Sequence, residues 1–126
     1  MRLLLDTAVL IYAVEAPRQL SKRAATVLQD LNNVLELSAI SLVEIAIKAN
    51  LGKLRISPEI VSQAIEDLDL RVLPYTAAHG LRLFNLPLHH GDPFDRQIIS
   101  QALVEEVPII TPDHMFPAYK GLKVIW

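Results

Sequence analysis

The sequence predicts an α/β domain built around a parallel sheet. Short apolar runs alternate along the chain with stretches of helical periodicity, the pattern of repeated β-α units. The run Leu3-Leu4-Leu5 contains no polar residue, as expected for a strand that is covered on both faces. The 126 residues contain no low-complexity tract, charge block or internal repeat. We therefore expect residues 1–126 to form one domain.

The first half of the chain predicts strands at residues 3–5 and 34–37, separated by helices with identifiable ends. The helix over 8–15 stops before Pro17. Ser21 caps a second helix, which continues to residue 31 and ends at Asn32-Asn33. A third helix is predicted over 41–51, with Gly52 at its C-terminal side.

The second half continues the alternation of helices and strands. Ser57 followed by Pro58 is typical of a helix start, and this helix is expected to reach residue 68. Asp92-Pro93 opens the clearest helix of the chain, which runs to residue 106. The remaining predicted elements are a short helix at 76–83, a loop at 87–91, a turn at 112–116 and strands at 72–73, 107–111 and 123–126.

Composition excludes several classes of protein. The absence of cysteine rules out thiol catalysis, zinc fingers and a disulfide scaffold. With 12 basic and 14 acidic residues, the net charge of −2 argues against a generally basic nucleic-acid surface, so any positive charge must be local or come from bound cations. The longest charge-free run, Val72 to Leu81, has ten residues, too few to span a membrane.

The start of the chain resembles a signal peptide only superficially, because Asp6 interrupts its apolar stretch. We therefore expect a cytoplasmic protein. The 52% hydrophobic content is high for so small a domain and predicts a subunit or partner interface. The apolar helical segments 9–14 and 24–28 form a groove for a partner helix in one interpretation and pack on the sheet in the other.

Two acids directly follow predicted strands. Asp6 comes after Leu3-Leu4-Leu5, and Asp113 comes shortly after Ile109-Ile110. The carboxyl ends of parallel strands are where α/β domains bind ligands. The alternative for Asp6 is an N-cap of the following helix, and the alternative for Asp113 is a cap or an Asx-turn.

Two further acids belong to helices. Glu44 lies in a helix that is apolar nearly all round, where an unpaired carboxylate is costly. Its structural alternative is a capping box with Ser41 and an ion pair with Lys48. Asp95 lies on the inward edge of an apolar stripe, while Asp92 is the expected N-cap of that helix.

Taken together, these acids predict a cation site. Asp6, Asp95 and Asp113 should all lie at one edge of the sheet, with Glu44 near the start of its helix. Four carboxylates in one cleft repel each other, so some stay protonated unless cations separate them. Oxygen ligands without cysteine suit Mg²⁺ or Mn²⁺ rather than zinc.

At these segments the chain resembles the PIN-domain family, and within it the VapC-like toxins of toxin–antitoxin pairs. The resemblance spans nearly the whole chain in the right order. Each motif is moderately specific, and the four together are hard to obtain by chance. They are Leu3-Leu4-Leu5-Asp6-Thr7, Glu44 to Lys48 followed by Leu51 to Leu54, Leu86 to His90 leading to Asp92-Pro93-Phe94-Asp95-Arg96, and Thr111-x-Asp113 with Phe116, Tyr119 and Ile125-Trp126.

The resemblance implies a three-layer PIN-like fold, a central parallel sheet of about five strands flanked by helices. It also implies a Mg²⁺- or Mn²⁺-dependent endoribonuclease, a homodimer, silenced by a VapB-like antitoxin. By position, Asp6 and Asp95 are the principal metal ligands. Glu44 and Asp113 complete the acidic cluster, Asp113 also as a metal ligand, and one of the two takes the proton from the attacking water. The hydroxyls of Thr7 and Thr111 would orient ligands, and Asp92 would lie outside the set of direct metal ligands.

Departures from the family pattern fall beside the acids. Ala8 stands where relatives often carry His, Tyr12 where they often carry Trp, and Gly91 where Arg commonly precedes Asp-Pro. None of these departures removes an acid.

Two alternatives belong to other functional classes. A PIN-like module that binds nucleic acid or a partner without cutting is one of them. The other is a receiver-like phospho-acceptor domain, which also gathers carboxylates and Mg²⁺ at a sheet edge. That class needs two adjacent acids after the first strand and an acceptor Asp after the middle strand, whereas Val72-Leu73 is followed here by Pro74-Tyr75.

Other polar and aromatic residues are assigned structural roles. Lys48 and Arg96 each stand beside an acid, so ion pairing is expected for both rather than contact with RNA phosphate. The adjacent histidines His89 and His90 are expected in solvent. The aromatic residues are too scattered for a base-stacking surface and are expected in the core or an interface: Tyr12, Phe84, Phe94 and Trp126.

Overall fold

A computed structural model, which describes residues 1–126, has one sheet of five parallel strands in the order β3-β2-β1-β4-β5. The strands are Arg2–Leu5 (β1), Val34–Ser38 (β2), Arg71–Leu73 (β3), Ile109–Ile110 (β4) and Val124–Ile125 (β5). All five predicted strands are present. The order differs from the 2-1-3-4-5 order of receiver domains, so the receiver-like alternative is wrong.

Six helices connect and cover the strands. Their bounds are Thr7–Glu15 (α1), Lys22–Gln29 (α2), Ala39–Asn50 (α3), Pro58–Asp67 (α4), Ala77–Arg82 (α5) and Pro93–Glu105 (α6). The predicted caps are confirmed for three of them, because Ser21, Ser57 and Asp92 each accept a backbone N–H of the helix that follows.

The start of α3 differs from the prediction. Ser38 is its N-cap and accepts the Ile40 N–H, so the helix begins at Ala39. Ser41 therefore lies inside the helix, where its buried hydroxyl accepts a hydrogen bond from Thr7. The predicted capping box between Ser41 and Glu44 is wrong, because the true cap lies three residues earlier.

The core has two parts, one on each face of the sheet. Alternate side chains of a strand point to opposite faces. In β1, Leu3 and Leu5 pack with α1, α2 and α4, whereas Leu4 packs with α6. Both faces are covered, which gives the expected three layers.

Strand register positions the functional edge of the sheet. β1 lies in the middle of the sheet, between β2 and β4. The chain adds β2 and β3 on one side of β1 and then β4 and β5 on the other side, so the order of the strands reverses between β1 and β4. Leu5 is level with Leu37 of β2 and Ile110 of β4. Asp6 therefore emerges next to Thr111 at the position where open α/β sheets bind ligands.

The helix α2 does not form a groove. Ala24 is fully buried, and Val27 and Leu28 pack against the core. Apolar cavities instead lie on either side of α4, one shared with α1 at Ala13 and Val14, and one shared with α3. No helix is both long and apolar enough to cross a membrane.

Candidate metal centre

The four predicted acids meet around one cavity of about 440 Å³ at the carboxyl edge of the sheet. Each reaches it from a different element. Asp6 comes from the end of β1, Glu44 from α3, Asp95 from the first turn of α6, and Asp113 from the turn after β4. Asp92 also lines the cavity.

Asp6 is 4% exposed and is held by a neighbouring strand. Its Oδ2 accepts a 2.7 Å hydrogen bond from the hydroxyl of Thr111. Asp6 occupies the N-cap position of α1, but its side chain makes no capping hydrogen bond. Burial raises the pKa of Asp6 to about 6, because the Thr111 hydrogen bond offsets only part of the lost hydration and Glu44 adds repulsion.

Asp95 has the most strongly shifted pKa of the four acids. Burial, followed by repulsion from Asp6, Asp92, Glu44 and Asp113, raises it to about 8. Asp92 carries out the capping of α6, since its Oδ1 accepts the N–H groups of Phe94 and Asp95. The Asp95 side chain is thus free to face the cavity, and at neutral pH it holds a proton.

Glu44 is 5% exposed and is only half satisfied. Its Oε2 accepts a 2.5 Å hydrogen bond from the ammonium of Lys48, which confirms the expected ion pair. Its Oε1 is buried and has no hydrogen-bond partner. A buried carboxylate oxygen without a partner is costly, so the site lacks a positive or donating group at this position.

Asp113 makes the turn that was its structural alternative and still reaches the cavity. Its Oδ1 accepts the N–H of Met115 at 2.8 Å, the hydrogen bond of an Asx-turn. Its own N–H is donated to the hydroxyl of Thr111. Thr111 therefore connects Asp6 and Asp113, whereas the hydroxyl of Thr7 donates to Ser41.

The structure places one further residue, His90, beside the four predicted acids. His90 was expected in solvent, but its side chain is only 15% exposed and lies beside Asp95. Its Nδ1 is 2.7 Å from the hydroxyl of the buried Tyr119. Adjacent histidines in a loop carry no periodicity, so only the three-dimensional position could distinguish His90 from the exposed His89.

Arg96 does not form the expected ion pair. Its guanidinium donates to the backbone carbonyls of Leu86 and Pro87 and to the hydroxyl of Tyr119. It ties the loop before α6 to the helix itself. The prediction failed because the Arg96 guanidinium bonds to these two carbonyls, which lie in a loop, instead of to the carboxylate of Asp95.

Three of the four aromatic residues that were expected in the core or an interface are partly buried. Tyr12, Phe94 and Trp126 are half-buried, and the rings of Tyr12 and Trp126 are 6.4 Å apart. Phe84 is 86% exposed and is not part of the core.

The donor set fits a divalent cation of the Mg²⁺ or Mn²⁺ type. Carboxylate oxygens converge from four directions, and one of them is buried without a partner. A cation would satisfy that oxygen and relieve the repulsion that adds to burial in raising the pKa of Asp95. Such hard, oxygen-only arrangements suit these ions.

The chain belongs to the PIN domain family, whose sequence profile matches residues 3–122. No curated protein matches the chain in sequence.

Several solved structures share this fold at low sequence identity. One is a chain of VapBC2 from Rickettsia felis bound to a promoter DNA fragment (TM-score 0.76, 19% identity, covering 99% of this chain and 98% of that chain). Another is a chain of DNA-bound VapBC from Salmonella typhimurium (TM-score 0.67, 17% identity, 99% and 97%). A third belongs to FitAcB from Neisseria gonorrhoeae (TM-score 0.62, 19% identity, 98% and 96%). The fold is shared over nearly the full length.

Proposed function

We propose that this protein is a Mg²⁺- or Mn²⁺-dependent endoribonuclease that acts in the cytoplasm as the toxin of a toxin–antitoxin pair. The observation that carries the proposal is the meeting of Asp6, Glu44, Asp95 and Asp113 around one cavity. The raised pKa of Asp95 and the unpartnered Oε1 of Glu44 are costs that a purely structural cluster would avoid.

In this proposal Asp6, Asp95 and Asp113 hold the cation. A divalent cation held there would neutralise negative charge on the phosphoryl oxygens and would lower the pKa of water. Asp95, whose raised pKa leaves it protonated at neutral pH, would have to release that proton to serve as a ligand. Thr111 keeps Asp6 in place through its 2.7 Å hydrogen bond.

The general base is Glu44 or Asp113. Each has one oxygen engaged, by Lys48 in one case and by the Met115 N–H in the other, so its second oxygen is the one that would either face the cation or accept the proton. Attack of water on the RNA phosphodiester, with departure of the 3′-oxygen, yields 5′-phosphate and 3′-hydroxyl ends. Lys48 lines the same cavity and places one positive charge beside the acids.

Two surfaces support the proposed partners. The apolar cavities of about 320 and 330 Å³ on either side of α4 offer room for the side chains of a VapB-like antitoxin helix. The exposed Val43 and Ile47 of α3 and its C-cap residue Leu51 recur at intervals of four residues and form an apolar stripe. A stripe of this kind supports the proposed homodimer.

The test maps new 5′-monophosphate ends across all cellular RNA after induced expression. Wild type is compared with Asp95→Asn, which keeps the shape of the side chain and removes its charge. We expect cuts at a small number of sites, and growth arrest, with wild type only. Folded protein that produces no new ends would contradict the proposal and favour the non-cutting alternative.

A further inference from the structure

His90 is positioned as a ligand rather than as a surface histidine. Its Nε2 is 3.4 Å from Oδ2 of Asp95. One ligand atom from each of His90, Asp95 and Asp113 lies within 4.8 Å of the other two. A nitrogen therefore joins the acidic cluster on the Asp95 side.

The 3.4 Å separation is informative about the kind of contact. Hydrogen bonds between N–H and oxygen are usually about 2.7–3.2 Å long, so this distance exceeds the ordinary range. Two ligands on one ion, each at about 2.1 Å, are about 3.0–3.4 Å apart for octahedral or tetrahedral angles. The spacing is long for a direct hydrogen bond and matches the separation of two ligands on one cation.

The other ring nitrogen of His90 has a fixed partner. Nδ1 lies 2.7 Å from the hydroxyl of Tyr119, a residue that is 1% exposed. When Nδ1 donates its hydrogen to that oxygen, the lone pair of Nε2 points toward the acids. Metal-binding histidines characteristically have such a second partner, which sets the tautomer and the ring orientation.

Arg96 supports this arrangement from outside. It donates to Tyr119 and to the carbonyls of Leu86 and Pro87, which lie in the segment that leads to His90. The histidine is thus held from both the loop and the core. The Oε1 of Glu44 is buried without a partner in the cavity that Asp95 and Asp113 also line, which is independent evidence that these acids lack a cation-like group.

We propose that His90 is a ligand of the divalent cation, together with Asp95 and Asp113, and that its nitrogen makes the site prefer Mn²⁺ to Mg²⁺. The inference rests on the cation centre of the proposed function. Mg²⁺ strongly prefers oxygen ligands, whereas an imidazole strengthens binding of first-row transition ions. The carboxylates alone would not separate the two ions to the same degree.

Pulsed electron paramagnetic resonance of the Mn²⁺-loaded protein tests this directly, because a coordinated imidazole produces a ¹⁴N modulation. We expect the modulation in wild type and its replacement by a ¹⁵N pattern when histidine is ¹⁵N-labelled. This measurement requires no variant to fold. It also reports ligation without reference to cleavage.

Variants identify which histidine is responsible. His90→Gln should lose the modulation and bind Mn²⁺ at least about 10-fold more weakly, with a smaller loss of Mg²⁺ affinity. His89→Gln is the matched control on the adjacent, exposed residue, and His114→Gln is the control for the exposed histidine that lines the cavity. Both controls should keep the modulation. Tyr119→Phe should keep it as well but weaken Mn²⁺ binding.

The outcomes separate this inference from the proposed function. Wild type that binds no Mn²⁺ would overturn the cation centre, and the role of His90 with it. Mn²⁺ binding without ¹⁴N modulation would overturn the role of His90 alone and leave the carboxylate centre intact. The same holds if the modulation disappears in His114→Gln and persists in His90→Gln.

Discussion

The two ends of the sheet treat buried acids in opposite ways. At the amino end, Glu36 is 1% exposed, and its Oε1 accepts a 2.7 Å hydrogen bond from Arg2. Arg2 also contacts Glu105, which receives a second hydrogen bond from His79. These bonds lower the pKa of Glu105, with His79 as the larger contributor, and raise the pKa of Arg2.

At the carboxyl end the acids outnumber their partners. Lys48 and Thr111 satisfy one oxygen each of Glu44 and Asp6, while the side chain of Asp95 has only the 3.4 Å contact with His90 and is repelled by the other acids. The pKa values of Asp6 and Asp95 are accordingly raised rather than lowered. The comparison shows that burial of a carboxylate does not by itself indicate function. The informative feature is a buried carboxylate whose charge the protein leaves unbalanced.

The largest expected effect is on catalysis at the unbalanced end. Asp95→Asn should reduce the rate of RNA cleavage by more than the roughly 10–100-fold typical of losing an outer partner of a metal site. Cleavage of a mapped substrate with Mn²⁺ or Mg²⁺ checks this. Glu66→Gln, on an exposed face of α4, is the charge-matched control. Full activity of a folded Asp95→Asn protein would refute the proposed centre.

Addition of a divalent cation should stabilise the protein by binding to the acids at the carboxyl end of the sheet. At a concentration of 100 times Kd, binding raises the free energy of unfolding by about 2.7 kcal/mol. The sign of the pH dependence follows from the raised pKa values. Protonated Asp6 and Asp95 favour the folded state at low pH, and this contribution is lost as pH rises through about 6 and about 8.

Because cations compete with these protons, their stabilising effect should be larger at pH 8 than at pH 5. Thermal melts with Mn²⁺ and with EDTA at both pH values measure this difference. Equal stabilisation at the two values would mean that the cation binds elsewhere.

At the amino end of the sheet, where the charges are balanced, a substitution should lower stability and leave activity unchanged. Arg2→Met leaves Glu36 buried without its cation and should lower the free energy of unfolding by about 2 kcal/mol. The expected loss is below that of a fully buried pair because 40% of the Arg2 side chain is exposed. Urea denaturation measures it, with the exposed Arg18→Met as control. Activity per folded molecule should be unchanged, and a large loss of activity would contradict the division between the two ends.

The smallest effect is on the stability of the Asp95→Asn protein without added cation. Removing one of several repelling carboxylates should raise the melting temperature at pH 8 by roughly 3–5 °C, or about 1 kcal/mol. Access of solvent to Asp95 keeps this gain well below the full pKa difference. At pH 5 Asp95 already holds a proton, so the gain should shrink. A melting temperature that falls at pH 8 would show that the folded protein offsets the negative charge of Asp95.

Local sequence signals predicted most of the fold. The helix starts at Ser21, Ser57 and Asp92 were predictable because a capping side chain acts on backbone groups two or three residues away. The start of α3 was missed because two serines, Ser38 and Ser41, stand close together and either one suits a cap. Packing decided between them, since Ser41 is buried against Thr7.

The sequence by itself determined the positions of the acids along the chain and, through the parallel strand pattern, that three of them would share one edge of the sheet. Tertiary structure decided which charges are balanced there. Lys48 reaches Glu44 because i and i+4 neighbours meet on a helix, a local rule that sequence contains. His90, Tyr119 and Arg96 meet because the loop before α6 folds back on the turn that follows β4. Contacts between residues that are distant in the chain follow no fixed spacing, so only the folded structure places His90 against Tyr119 and beside Asp95.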